Sequence, residues 1–257
     1  MSYVVVALFV VIACVGPWFA PLPPDQIALA HQYELPSTAH WLGTADNGVD
    51  ILSVLLYGAR LSALVALGSV GLSVVVGTLL GALAGYRGGR FDHAITGLAD
   101  LVQAFPGILL NIAMLAVVAR PGVTHLVMAL SVSGWVLYAR LARAQTLLLR
   151  EREFVSAARA LGASETRVLL RHVLPNLLPP LLVQATAGLG SAILIESTLS
   201  FLGLGTGRAS WGALLDQGSS VLLRFPHVAL ISGFAIAITV LSFNLVGDGL
   251  RDRLAKR

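Results

Sequence analysis

From Leu61 to Tyr86 the chain carries no charged residue, and stretches of comparable length and apolarity recur along it. A run of about 20 apolar residues is what a helix needs to cross the hydrocarbon core of a bilayer. That feature leaves little choice of fold. Composition agrees: 56% of the 257 residues are hydrophobic, 12% are charged, and mean hydropathy is +0.83. Soluble domains carry roughly 25% charged residues. The chain reads as an all-α integral membrane protein.

Six transmembrane segments follow from the apolar pattern. The first spans Tyr3 to about Ala20 and is stopped by Pro17, Pro21, Pro23 and Pro24. A polar stretch leads to the second, Leu61 to Tyr86, where Gly68, Gly71, Gly77, Gly81 and Gly85 allow close helix approach in lipid. The third runs from about Leu98 to Val118 with a kink at Pro106, and the fourth from Val123 to Leu141. A polar loop occupies about 142–178. The fifth span covers Pro180 to Leu204 and the sixth His227 to Leu250, with a partly polar connection carrying Trp211 between them. The organisation expected is an N-terminal helix with an extracytoplasmic segment over residues 1–60, then a five-helix core over 61–257.

Charge sets the orientation, because cytoplasmic loops retain Lys and Arg. Thirteen basic residues fall on one side of a six-span chain: Arg87 and Arg90, the seven arginines from Arg140 to Arg171, and Arg251, Arg253, Lys256 and Arg257. Only Arg60, Arg120, Arg208 and Arg224 fall on the other. Both termini and the long loop are therefore expected in the cytoplasm. The pI near 9.7 follows from this sorting and needs no nucleic-acid partner.

Several chemistries are excluded. Lys256 is the sole lysine, so no Gly-rich loop ends in the Lys-Ser/Thr that cradles phosphates. The single cysteine, Cys14, allows no internal disulfide. It closes Val11-Ile12-Ala13-Cys14, which resembles a lipoprotein cleavage box. No basic residue precedes it as a signal peptide requires, and the segment reads as the first span. No two of the six histidines share metal-ligand spacing on one helix. No Ser/His/Asp set or His-Glu-x-x-His motif suggests an intramembrane enzyme.

The long loop has a helical pattern of its own. Phe154, Ala157, Ala158 and Leu161 fall at i, i+3, i+4 and i+7, one apolar face. Glu151 and Glu153 suit the positive end of the helix dipole, and Gly162 suits the left-handed residue that ends a helix. Ser164 is a candidate N-cap for a second helix reaching His172, which Leu174-Pro175 should close. Such a hairpin could lie on lipid, but small alanines suit close contact with a protein surface better.

This loop resembles the EAA motif of bacterial ABC importer permeases: Glu-Ala-Ala, three residues, Gly, nine residues, Ile-x-Leu-Pro. Here Ser156-Ala157-Ala158, Gly162, His172 and Leu174-Pro175 fall at those spacings, with Ser156 replacing Glu and His172 replacing Ile. Arg171-His172-Val173-Leu174-Pro175-Asn176 is similar to the form in the dipeptide, oligopeptide and nickel branch. Trp41-Leu42-Gly43-Thr44, Leu56-Tyr57-Gly58-Ala59-Arg60, Ala104-Phe105-Pro106, Ser200 to Gly205, Ser210-Trp211-Gly212 and Phe243 to Asp252 also look like family segments. The usual Gly-Thr-Asp-x-x-Gly-Arg-Asp is degraded, with Ala45 for Asp and Val49 for Arg. The connection from Thr206 to Ala209 is shorter than usual.

The resemblance implies a type I importer permease with a cytoplasmic helix–Gly–helix coupling loop, forming half of a translocation pathway. It implies a second homologous permease subunit, cytoplasmic ATPase subunits that bind ATP and Mg, and an extracytoplasmic solute-binding protein. No cofactor is expected in this chain itself. On that basis Glu153, Phe154, Ala157, Ala158, Arg159, Leu161 and Gly162 are the expected ATPase-coupling residues. Glu196, Gln184 and Asn111 are pathway candidates, since polar groups at membrane depth usually face a pore or a partner. Glu196 equally suits a structural role, bonded to a serine or another helix. Short peptides are the expected cargo; nickel complexes, opines and other small solutes are the alternatives. An autonomous secondary transporter would show inverted repeats and paired broken helices, and no internal repeat is apparent.

Overall fold

The computed structural model describes residues 2–206 and 209–255. Arg208, Lys256 and Arg257, counted in the charge balance, lie outside the described residues.

Asp50 begins the longest helix. Its carboxylate accepts from the Ser53 amide at 2.8 Å and the Ser53 hydroxyl at 2.9 Å, the arrangement of an N-cap. Helix α2 (Ile51–Arg87) therefore starts well before Leu61 and runs unbroken through position 60. At 1.5 Å per residue its 37 residues extend about 55 Å, beyond the roughly 30 Å hydrocarbon core. Its far end projects towards the long polar loop.

Helix α1 is Ser2–Phe19. Helix α3 (Gly89–Gln103) follows α2 after a turn in which Gly88 and Gly89 have φ of +67° and +59°. Helix α4 (Gly107–Ala116) comes next, and the pair is bent by 79° at the break. The third span is thus not one kinked helix. Pro106 has no N–H to donate and takes ψ of 125°, which ends α3 outright. Ten residues of α4 reach only about 15 Å, half a bilayer core.

Helix α5 (Val123–Leu149) extends past the expected Leu141 end. The polar loop folds into α6 (Glu153–Ala160) and α7 (Glu165–Val168). A π-helical turn, Leu169–Val173, then leads directly into α8 (Leu174–Phe201). Leu174-Pro175 does not close the second helix. Leu174 stays helical, and its amide reaches back five residues to the Leu169 carbonyl. The widened turn lets Pro175 enter at the start of α8, where a missing N–H costs least. Helix α9 (Trp211–Ser220) is capped by Ser210, which accepts from the Ala213 amide at 3.2 Å, and α10 is Pro226–Ala255.

Among the described residues, five helical runs are long and apolar enough to cross a membrane, and the bent α3–α4 pair makes a sixth if it counts as one broken span. Helices α2 and α5 pack most closely. A Cβ added at Gly77 would lie 2.4 Å from the Trp135 carbonyl oxygen, one at Gly81 2.1 Å from that of Ala139, and one at Gly85 2.7 Å from that of Arg143. This i, i+4, i+8 stripe is what brings the two backbones together. Gly71, expected to serve the same purpose, faces open space.

Phe9 of α1 meets Trp211 of α9 and Phe243 of α10 edge-on, at 5.9 and 5.7 Å between ring centroids. The Trp211 indole also donates to the Leu55 carbonyl of α2 at 2.9 Å. Contacts divide the bundle into two ends. Tyr33 stacks on Phe225 and His227 approaches Thr44 at one end. At the other, Arg253 lies over Tyr3, and the ends of α2 and α5 meet the α6–α7 loop.

Candidate coupling surface and intramembrane cavity

Helix α6 is fixed from several sides. Arg150, at the end of α5, donates to the Gly85 carbonyl at 3.0 Å, tying the loop's base to α2. Gly162 takes φ of +82°, its amide donates to the Arg159 carbonyl at 2.9 Å, and the Ala163 amide reaches the Ala158 carbonyl at 3.1 Å. These two bonds make a Schellman motif, which the left-handed glycine permits. Ser164 then caps α7 by accepting from the Arg167 amide at 3.4 Å. The helix–Gly–helix expectation holds in detail at these residues.

The apolar face of α6 is divided. Val155 and Ala158 turn inward, together with Val168, Leu169 and Val173 of the following segment. Phe154, Ala157 and Leu161 stay outside, Leu161 being 89% exposed. Ala158 therefore supports the loop and does not share the outer surface expected for it. A helix this short must rest one face on its own chain to be held at all, and an isolated helix of eight residues is unstable in water. Val155, whose side chain does the holding, was missed. Its i, i+3 spacing to Ala158 was the available signal.

Arg159, one of the expected ATPase-coupling residues, is engaged within the chain. Its guanidinium contacts the Tyr86 hydroxyl at 3.3 Å and the Glu165 carboxylate at 3.3 Å, and lies over the Tyr86 ring. Tyr86 also donates to Glu165. The hydrogen bond to Tyr86, reinforced by the Glu165 charge, holds the guanidinium above its ordinary range. Glu153 remains exposed at the start of α6. The outer surface thus comprises Glu153, Phe154, Ala157 and Leu161, on a base locked by Val155, Ala158, Arg159 and Gly162.

Deeper in the bundle, α2, α4, α5 and α8 line an open cavity of about 290 Å³. Asn111 and Gln184 both line it, with Ser69, Ser73, Ser133 and Tyr138. The Asn111 side chain is 1% exposed; its Oδ1 accepts from Ser133 at 3.1 Å, while its Nδ2 has no partner. Two of the three pathway candidates therefore meet in one largely apolar pocket that carries a few polar groups. Glu196 does not join them. It is fully buried and accepts from the Ser62 hydroxyl at 2.7 Å and the Ser200 hydroxyl at 2.8 Å. A carboxyl held this way joins α2 to α8, the serine-bonded alternative. Asp92, not singled out in the sequence, is bidentate to Arg143 and pins α3 against α5.

Five long apolar helices and a sharply bent pair, packed around a small intramembrane pocket and bearing a polar hairpin at one end, define a multi-pass membrane permease. The chain belongs to the family of binding-protein-dependent transport system inner membrane components, whose pattern it matches over residues 77–257. It is 38% identical to the dipeptide transport system permease protein DppC of Alkalihalophilus pseudofirmus over 256 residues, 99% of this chain and 84% of that one. It is 35% identical to the oligopeptide transport system permease protein OppC of Bacillus subtilis, over 99% of this chain and 84% of that one. The glutathione transport system permease protein GsiD of Pectobacterium atrosepticum shares 42% identity across 86% of this chain and 74% of its own length. Among solved structures, the fold is similar to a chain of the MetNI methionine ABC transporter in inward facing conformations. The TM-score is 0.64 at 20% identity, covering 77% of this chain and 95% of that one. The fold is that of a type I importer permease.

Proposed function

We propose that this chain forms half of the membrane pathway of an ATP-driven importer for short peptides. A second homologous permease subunit completes the pathway, and an extracytoplasmic binding protein delivers the cargo. Relatives named for dipeptide, oligopeptide and glutathione transport support the cargo class. Hydrolysis of ATP, with its Mg, belongs to separate cytoplasmic subunits, in keeping with the missing phosphate-binding lysine. Both termini and the α6–α7 hairpin face the cytoplasm, as the arginine distribution supports. The N-terminal transmembrane helix and the extracytoplasmic segment precede α2, and the chain from Ile51 onward supplies the transport core.

The observation that carries this reading is the exposed apolar edge of α6 on an immobilised base. Phe154 is 41% and Leu161 89% exposed at the charge-rich end of the bundle, where neither faces the protein's own core. A short helix seated in an ATPase groove would transmit nucleotide-driven motion as a rigid body. The Schellman turn and the Arg159–Tyr86–Glu165 cluster supply the rigidity.

Burying a leucine is worth about 1.5–3 kcal/mol, so Leu161→Asp should weaken ATPase binding by at least about tenfold. Its position makes folding insensitive to the change. The test reconstitutes the permease pair with its ATPases in vesicles and measures ATPase capture and peptide uptake. Loss of both, with normal insertion, is expected; unchanged capture and uptake would remove α6 from the docking role.

A further inference from the structure

On the segment joining α1 to α2, we infer that His31, Glu34 and His40 form a binding site for a divalent late first-row transition ion such as Zn²⁺. One ligand atom from each residue lies within 4.8 Å of the others. In the sequence these residues lie on no common helix, so their spacing gives no metal signature. The fold brings them together by closing a loop. The Thr44 hydroxyl donates to the His31 carbonyl and accepts from the Glu34 amide, and the Thr44 amide returns a bond to the Glu34 carbonyl. His40 is held by its own turn, its amide donating to the Ser37 hydroxyl at 3.1 Å.

The surroundings of His40 suit a ligand. Its ring is nearly buried, and Nδ1 lies 3.0 Å from the buried Asp50 carboxylate, itself fixed by Ser53. A carboxylate there favours the proton on Nδ1 and leaves the Nε2 lone pair free. The same carboxylate–histidine arrangement orients metal-bound imidazoles. His31 and Glu34 already touch, Nδ1 to Oε1, at 2.7 Å, and both are partly exposed and free to turn. Tetrahedral coordination with bonds near 2.0–2.1 Å sets ligand atoms roughly 3.3 Å apart. Closing from 4.8 Å therefore needs only side-chain rotation. Two imidazoles and a carboxylate are a donor set that zinc accepts with its fourth position open. A bound ion would tie the turn at Leu29–His31 to the capped start of α2. The inference rests on this loop alone and not on the transport reading.

The test uses the full chain in detergent, free of any histidine tag and stripped with chelator. Titration with Co²⁺ should give one equivalent per chain and the visible absorption of a tetrahedral site, which Zn²⁺ then displaces. His31→Ala and Glu34→Gln, both at partly exposed positions, should abolish that absorption. They should weaken Zn²⁺ by more than the roughly 10–100-fold that losing an outer-shell partner costs. Asp50→Asn, checked for folding by circular dichroism, should keep the absorption with affinity lower by about that 10–100-fold. If the wild type shows no tetrahedral absorption, or if His31→Ala and Glu34→Gln bind Zn²⁺ as it does, the cluster is a hydrogen-bonded loop and nothing more.

Discussion

Replacing Gly81 by alanine isolates the contact that holds α2 against α5. The added methyl would lie 2.1 Å from the Ala139 carbonyl oxygen, 2.7 Å from its carbon and 2.8 Å from its Cα. All three are backbone atoms, so no rotamer change relieves the clash. The helices must separate by about 1 Å, and a gap of 0.5–1 Å forfeits a quarter to a half of each dispersion contact along the seam. Gly77 and Gly85, one turn either side, would lose contact as well. Overpacking of this kind costs about 1–3 kcal/mol, and the rigidity of the obstruction places this case towards the upper end. Gly71→Ala is the matched control: same helix, same propensity gain of roughly 0.5–1 kcal/mol, but nothing within 4 Å of the new methyl. Subtracting one variant from the other removes the propensity term. At roughly 2–4 °C per kcal/mol for a chain of this size, Gly81→Ala should melt several degrees below Gly71→Ala. The assay is thermal unfolding by circular dichroism in one detergent at one scan rate, because irreversible transitions depend on rate. If Gly81→Ala melts at or above Gly71→Ala, the glycine stripe does not set the α2–α5 distance.

Other perturbations separate structural from functional roles. Ser62→Ala removes one of the two hydroxyls bonded to buried Glu196 and should cost about 1–3 kcal/mol; the same melting assay should show it, while uptake by the folded fraction stays near wild type. Asn111→Leu strips the cavity of its unpartnered amide and makes its lining more apolar, so peptide uptake in vesicles should fall with little change in melting; unchanged uptake would take the cavity off the pathway. Ala158→Asp forces a carboxylate into the contact with Val155 and Val168, and Gly162→Val meets a left-handed φ that costs L-residues about 1–2 kcal/mol. Both should speed trypsin cleavage within the hairpin at Arg159 and Arg167, whereas Leu161→Asp should not.

Much of the polar α6–α7 hairpin was legible because its signals are local. Gly162 closing α6, Ser164 capping α7 and acidic Glu153 in the first turn each act within one helical turn of themselves. Prolines misled where their context was tertiary. Pro175 marks a helix end only if the backbone keeps α-helical bonding, and the π turn before it changes the register. Pro106 does the opposite, ending α3 with a 79° bend where a kink was expected. Asp50 is a local cap signal for α2, but the polar residues around it and Arg60 interrupt the apolar run, which is continuous only from Leu61.

The sequence by itself determined that the chain crosses a membrane several times and that a charged hairpin interrupts it. Backbone groups in lipid must be satisfied within each helix, so hydropathy and length suffice for that conclusion. Only the tertiary structure decided which polar groups meet. Glu196 found serines on its own helix and on α2, Asn111 and Gln184 found one cavity, Arg159 found Tyr86, and His31 found His40 across a closed loop. Those outcomes depend on helix rotation and loop closure. Such choices are made by packing between residues distant in sequence, and no periodicity records them.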